Sequence, residues 1–142
     1  PALLPASVAR ARELGAQLVV VHGETVVEPV APGTNLAAIE AGCDVLAHPG
    51  LLGEAEAALA AERGVALEVT TRKGHSLTNG HVVELARRFQ ARIVINNDAH
   101  EPGDLVSRDL RRKVALGAGL SAEECEQAEA NAAALVQRLL RG

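Results

Sequence analysis

Aromatic side chains are almost missing from this 142-residue chain: Phe89 stands alone, with no tryptophan and no tyrosine. Without aromatic faces the bases of a single strand have little to stack on, which weighs against a single-strand nucleic-acid module. A net charge of -4 points the same way, because holding a phosphate backbone ordinarily takes a basic surface. Cysteine is scarce as well. Cys43 and Cys125 fit no zinc-finger spacing and build no disulfide framework, and Cys43, which opens an apolar run, reads as a small buried hydrophobe. No uncharged apolar run approaches the roughly 20 residues of a membrane span, and nothing resembles a signal peptide, so a cytoplasmic protein with no membrane partner is expected. Dinucleotide-type and Walker-type glycine loops, a nucleophile elbow and a Ser-His-Asp order are all absent, which disfavours nucleotide-driven and serine-hydrolase chemistry.

What is present is a repeated grammar. Four apolar runs each end on polar residues: 17–21 into His22, 43–47 into His48, 65–69 into Thr70-Thr71-Arg72, and 93–95 into Asn96-Asn97-Asp98-Ala99-His100. Helices are expected at 6–15, 35–41, about 53–63 and about 79–89, with Gly15, Gly42 and Gly64 as stops and Thr34 as an N-cap. Strands are expected at 17–21, 43–47, 65–70 and 92–96. Further helices follow at about 103–116 and 122–140, the last opened by the capping box Ser121-x-x-Glu124. Nearly continuous apolar strands indicate a parallel sheet covered on both faces. The expected fold is therefore α/β, parallel strands alternating with helices. Four such units fall short of a closed barrel, which takes about 250 residues. The alternatives are a small open sheet or, preferred here, a barrel whose N-terminal half lies outside this chain, which begins at Pro1 rather than Met.

In parallel sheets the loops at the carboxyl ends of the strands open on one side, so residues distant in sequence can converge there. Asp98 and His100, two apart on backbone taken as extended, would point the same way and suit Zn, Mn or Fe. The plainer reading is an aspartate capping the next helix beside a locally satisfied histidine. His48 precedes Pro49-Gly50, a turn that fixes its direction, and serves equally as a ligand or as a turn histidine. His22-Gly23-Glu24 repeats the pattern. Glu24 can ligate, act as a general base, orient His22, or simply cap a helix. Arg72 and Lys73, with Gly74 allowing close approach, suit a substrate phosphate, although such side chains are more often solvated. His75 is a candidate ligand or acid, and His81 a structural residue. Glu68 needs a partner to be buried in its strand, and Arg72, Arg92 or a residue of an upstream strand are the candidates. The arginine clusters at 87–88 and 111–112 read as solvated helix faces.

Together, Val21-His22-Gly23-Glu24, Ala47-His48-Pro49-Gly50, the stretch from Arg72 to Gly80 and Asn97-Asp98-Ala99-His100 resemble the PHP (polymerase and histidinol phosphatase) family, nearest its stand-alone histidinol-phosphatase-like members. The resemblance implies that residues 1–142 are the C-terminal portion of a distorted (β/α)7 TIM-like barrel. It implies a metal-dependent phosphoesterase, with His22, His48, Asp98 and His100 as ligands to Zn, Mn or Fe. His75 would be catalytic, joined by Glu24 on the general-base reading of the residues rather than by match to the family's own glutamate, and Arg72 and Lys73 would hold a small phosphorylated substrate. The family's N-terminal His-x-His is not in this chain, so the fragment by itself is expected to lack the full cluster. Alternatives are a non-catalytic metal-binding or assembly module, a nuclease acting on DNA ends, and an open α/β binding domain whose histidines never meet. The exposed edge of the first strand offers a route to self-association.

Overall fold

The structure, a computed structural model, describes residues 1–140. Helix α1 (Leu4–Glu13) leads to β1 (Val20–His22), α2 (Thr34–Glu40) to β2 (Val45–Ala47), α3 (Glu54–Arg63) to β3 (Ala66–Thr70), and α4 (Asn79–Phe89) to β4 (Ile93–Asn96). Helices α5 (Arg108–Gly117) and α6 (Ala122–Leu140) complete the order. The strands form one parallel sheet in sequence order, β1-β2-β3-β4. Alternating strands and helices with a parallel sheet are as expected; the sheet is open, not a closed barrel. Among the described residues no helix is long and apolar enough to cross a membrane.

Where local expectations fail, backbone chemistry explains it. Gly33, not Thr34, sits at the start of α2, at a φ of 86° that glycine adopts without strain. Thr34 is instead the first helical residue, and its hydroxyl donates to the Ala31 carbonyl. The helix expected from 103 is broken: Pro102–Asp104 forms a single 3-10 turn, and α5 starts only at Arg108. There the Ser107 hydroxyl accepts from Leu110 N–H, an N-cap. The capping box before α6 is formed as expected, with Ser121 and Glu124 each accepting from the other's backbone N–H.

One sheet face, carrying Val21, Leu46 and Leu67, packs under α2, α3 and α4. Helix α6 closes the far edge. Its Cys125 and Ala128 pack with Val69 and Ile95, and a turn later Ala132 and Leu135 meet Val45, Ala66 and Val94, which face the other way. The helix thus crosses the β4 edge, and Asn131 Nδ2 donates to the Ile93 carbonyl, 2.9 Å away, which points away from β3. At the opposite edge Val20 is half-exposed beside an apolar groove of about 470 Å3 lined by Leu4, Val8, Val19 and Val21.

Asp44 ties the two ends of the chain to the foot of β2. Its carboxylate accepts from Val19 N–H (2.8 Å) and from Arg12 (2.5 Å), and pairs with Arg138. Burial opposes ionisation, but the Val19 N–H and the two guanidinium groups outweigh it and hold the carboxyl below its ordinary value. Because the folded-state value is the lower one, this stabilisation is complete above the ordinary aspartate range and is lost as pH falls through the depressed value. Asp44→Asn is expected to cost about 2 kcal/mol at neutral pH, the half-exposed arginines keeping it modest. Urea titrations at pH 7 and pH 3 check this: the gap between wild type and variant should narrow in acid, and a constant gap would remove the account. Cys43, beside Asp44, is an inert core residue whose thiol is pushed up to about 12 by burial.

Candidate metal centre

Three strand ends deliver three histidines to one place. His22 ends β1, His48 follows β2, and His75 opens the 3-10 turn after β3. One ring nitrogen from each lies within 4.8 Å of the other two. The His48 ring is 4.5 Å from each of the others, centroid to centroid. His48 and His75 are buried and His22 is half-exposed.

The remaining nitrogens set the chemistry. Glu68, buried in β3, accepts from both His48 N–H (2.9 Å) and His48 Nδ1 (2.8 Å), and Asn96 Nδ2 donates to its other oxygen. This resolves the pairing that a buried Glu68 requires: its partners are His48, after the upstream strand β2, and Asn96, rather than Arg72 or Arg92. A carboxylate only accepts, so the His48 proton lies on Nδ1 and the lone pair on Nε2. That Nε2 is buried with no hydrogen-bond partner. His22 Nδ1 likewise donates to the Gly23 carbonyl (2.9 Å), and His75 Nδ1 meets the Thr25 hydroxyl (2.8 Å). That leaves three Nε2 atoms: the one on His48 has no partner, and those on His22 and His75 lie 3.2 and 3.3 Å from the Glu28 carboxylate. Desolvation, and next the neighbouring His48, lower the pKa of His75, which favours its neutral, metal-binding form. An orphaned buried imidazole nitrogen, oriented by a carboxylate behind it, fits a divalent ion bound by nitrogen donors.

The turn after β2 is held tightly. His48 takes a φ of 31° and Gly50 one of 65°, and a Cβ on Gly50 would stand 1.8 Å from the Glu24 carbonyl oxygen. Glu24 itself caps α2: its Oε1 accepts from Asn35 N–H, and its own N–H donates to Asn35 Oδ1. The capping alternative for Glu24 is thus the one observed. His81 is structural as expected, with Nε2 against the Leu52 carbonyl.

Asp98 and His100 do not join the cluster. Asp98 has a φ of 49°, so the backbone leaves the extended form before His100, yet the two side chains stay near each other, His100 Nδ1 3.9 Å from Asp98 Oδ1, and both lie against Arg72. Arg72 lies between them and the following turn, 3.4 Å from the Asp98 carboxylate and 3.2 Å from that of Asp104. His100 is largely exposed, its Nδ1 by the Asp98 carbonyl. With two carboxylates around it, Arg72 fastens the tops of β3 and β4 rather than standing ready for a phosphate. Lys73 is exposed on the same turn. Sequence reasoning missed Glu28, whose Oε2 is 3.2 Å from His22 Nε2 and whose Oε1 is 3.3 Å from His75 Nε2. It also missed Thr25 as the partner of His75. Neither carries a sequence signal, since both lie in an irregular loop.

Fold and site together define an open parallel α/β protein with a histidine cluster at its strand ends. No protein-family model matches the chain. It is 46% identical over 127 residues to an uncharacterized protein of Methanocaldococcus jannaschii, a match covering 89% of this chain and 58% of that protein. In three dimensions it is similar to a chain in the cryo-EM structure of archaeal ribonuclease P with mature tRNA. That likeness has a TM-score of 0.76 and 22% identity, over 98% of this chain and 65% of that one. The chain thus spans less than two thirds of each.

These findings correct the PHP resemblance and what followed from it. With no family model matching and the structural neighbour lying in ribonuclease P, the assignment as a histidinol-phosphatase-like hydrolase, and as an enzyme acting on a small phosphorylated substrate, is withdrawn. The DNA-end nuclease goes with it. The local geometry gives a physical reason: Arg72 is neutralised by carboxylates, and Glu24 serves as a helix cap. The expectation against nucleic acid is set aside as well, because the neighbour belongs to an assembly that holds tRNA.

Proposed function

We propose that this chain is part of a protein component of an RNA-processing ribonucleoprotein and is not itself catalytic. The observation that carries this reading is the match of nearly its whole length to a chain of tRNA-bound archaeal ribonuclease P. The surface suggests how such a component would dock. Arg87 and Arg88 pair with Glu124 and Glu54, Arg108 and Arg111 with Glu129, and Lys113 with Asp109. Cations so neutralised have little left for phosphates, so the component docks chiefly on protein neighbours, with RNA in the same particle. Proteins that rely on phosphate contacts lose affinity about 10³- to 10⁵-fold between 50 and 200 mM salt. A tagged full-length protein purified from its own cells should therefore retain structured RNA at 300 mM salt (a wash about twice physiological strength), identified by sequencing. RNA no more abundant than in a mock purification would overturn the proposal.

The same reading includes a divalent ion held by His22, His48 and His75, and imidazole donors make zinc the first choice over Mn or Fe. Such an ion would link the ends of β1, β2 and β3. Glu68 would keep His48 in the ligating tautomer, and Thr25 would orient His75. The sheet is read as an arc of a distorted (β/α)7 barrel, further strands adding beside Val20; its half-exposed edge and apolar groove support this. A cytoplasmic location belongs to the same proposal, supported by two buried free cysteines and no disulfide among the described residues.

A further inference from the structure

Glu28 faces two imidazoles across distances that need a positive particle between them. His22 Nδ1 already donates to a carbonyl, so a neutral His22 would turn a lone pair toward the Glu28 carboxylate. Acceptor would face acceptor at 3.2 Å. Either a second proton on the ring or a metal ion removes that clash. Around zinc, with bonds of about 2.0–2.1 Å to nitrogen and oxygen, adjacent ligand atoms of a tetrahedron lie about 3.3 Å apart. Each Glu28 oxygen has that spacing to one imidazole, Oε2 at 3.2 Å from His22 Nε2 and Oε1 at 3.3 Å from His75 Nε2, so a single oxygen turned inward would serve one ion. The histidine nitrogens lie within 4.8 Å of one another.

The loop that carries Glu28 is fixed against the site. Thr25 is buried and bonded to His75, and Val27 lies against Gly74, where even an added Cβ would come within 3.4 Å of it. Pro29 and Pro32 restrict the backbone beyond. Glu28 is thereby held over His22 and His75, while the Nε2 of buried His48 has no partner. We infer that Glu28 is the fourth ligand, closing a three-histidine, one-glutamate site with no position left for water or substrate. The inference rests on the three-histidine reading above. A closed four-coordinate ion is structural, in contrast to catalytic zinc, which keeps an open position. It cross-links three strand ends and the β1–α2 loop.

Cobalt(II) is the probe, because its visible spectrum reports coordination number. The full chain is titrated with Co(II) and then with azide, a small anion that enters open positions. Wild type is expected to give a tetrahedral spectrum that azide leaves unchanged. Glu28→Ala should bind Co(II) at least about tenfold more weakly, a loss no smaller than that of an outer-shell partner. It should also acquire a spectral change with azide. Glu28→Asp, which restores a carboxylate, should recover part of the affinity. Because Glu28 is half-exposed, the metal-free thermal midpoint of the variants should match wild type, separating ligation from folding. An azide response in wild type, or equal affinity and spectrum in Glu28→Ala, overturns the fourth ligand while leaving the three histidines standing. No Co(II) spectrum in any form overturns both.

Discussion

Gly50→Ala is expected to destabilise the chain by about 4 kcal/mol or more, among the largest effects a single methyl can have. The added carbon would sit 1.8 Å from the Glu24 carbonyl oxygen and 2.7 Å from its carbonyl carbon, both backbone atoms, at a residue whose φ is already 65°. A flexible side chain could swing away from such an intrusion; a backbone carbonyl cannot. Relief requires moving the loop after β1, which carries the Glu24 cap of α2, or the turn that aims His48. Fold and metal site should therefore fail together. With no tryptophan or tyrosine to report by fluorescence, far-UV circular dichroism is the suitable measurement. A fall in thermal midpoint of about 10 °C or more is expected. A midpoint within about 2 °C of wild type would show that the two loops are not interlocked as described.

Glu68→Gln should lower zinc affinity about 10- to 100-fold while leaving the chain folded. The carboxylate behind His48 fixes the tautomer and makes the ring a stronger donor, and an amide of the same size does neither as well. Glutamine can also turn its NH2 toward His48 Nδ1, which would move the ring proton to Nε2 and block the ligating lone pair. Competition against a chromophoric chelator gives the affinity directly. Wild-type affinity in this variant would mean that the ion, if bound, does not depend on His48. Glu68→Ala is a poorer test, since it strips the acceptor from His48 N–H, His48 Nδ1 and Asn96 Nδ2 at once and should cost about 2–4 kcal/mol of stability.

The strand-end histidines were legible because their signal is local. An apolar run ending in His22 or His48 puts the ring at the carboxyl edge of a parallel sheet, and parallel packing brings neighbouring edges together. Asp98 and His100 do face one another, 3.9 Å apart, but across Arg72 and outside the three-histidine group, because Asp98 takes a left-handed conformation where the expectation needs extended backbone. Arg72 looks like a phosphate anchor until Asp104 is brought beside it, a pairing 32 residues apart that no spacing rule reveals. Glu28 was hidden by its surroundings: only the folding of its loop over Gly74 sets it across from two imidazoles. The helix after β4 starts later than the expected 103, because Gly103 and Asp104 belong to a separate 3-10 turn and the N-cap is Ser107.

The two margins of the sheet also give the molecule a direction. Asn131 seals the outer carbonyl of β4, while Val20 stands half-uncovered on the other flank. Growth by strand addition is thus one-sided, and whatever joins, from this protein or another, must arrive next to β1. His22 ends that strand, so a newcomer continuing the parallel sheet would bring its own carboxyl end beside the histidine cluster. On the proposed reading, the seam where this fold would be extended and the place where an ion would bind are the same corner, and occupancy of the ion would gauge whether that neighbour is in place.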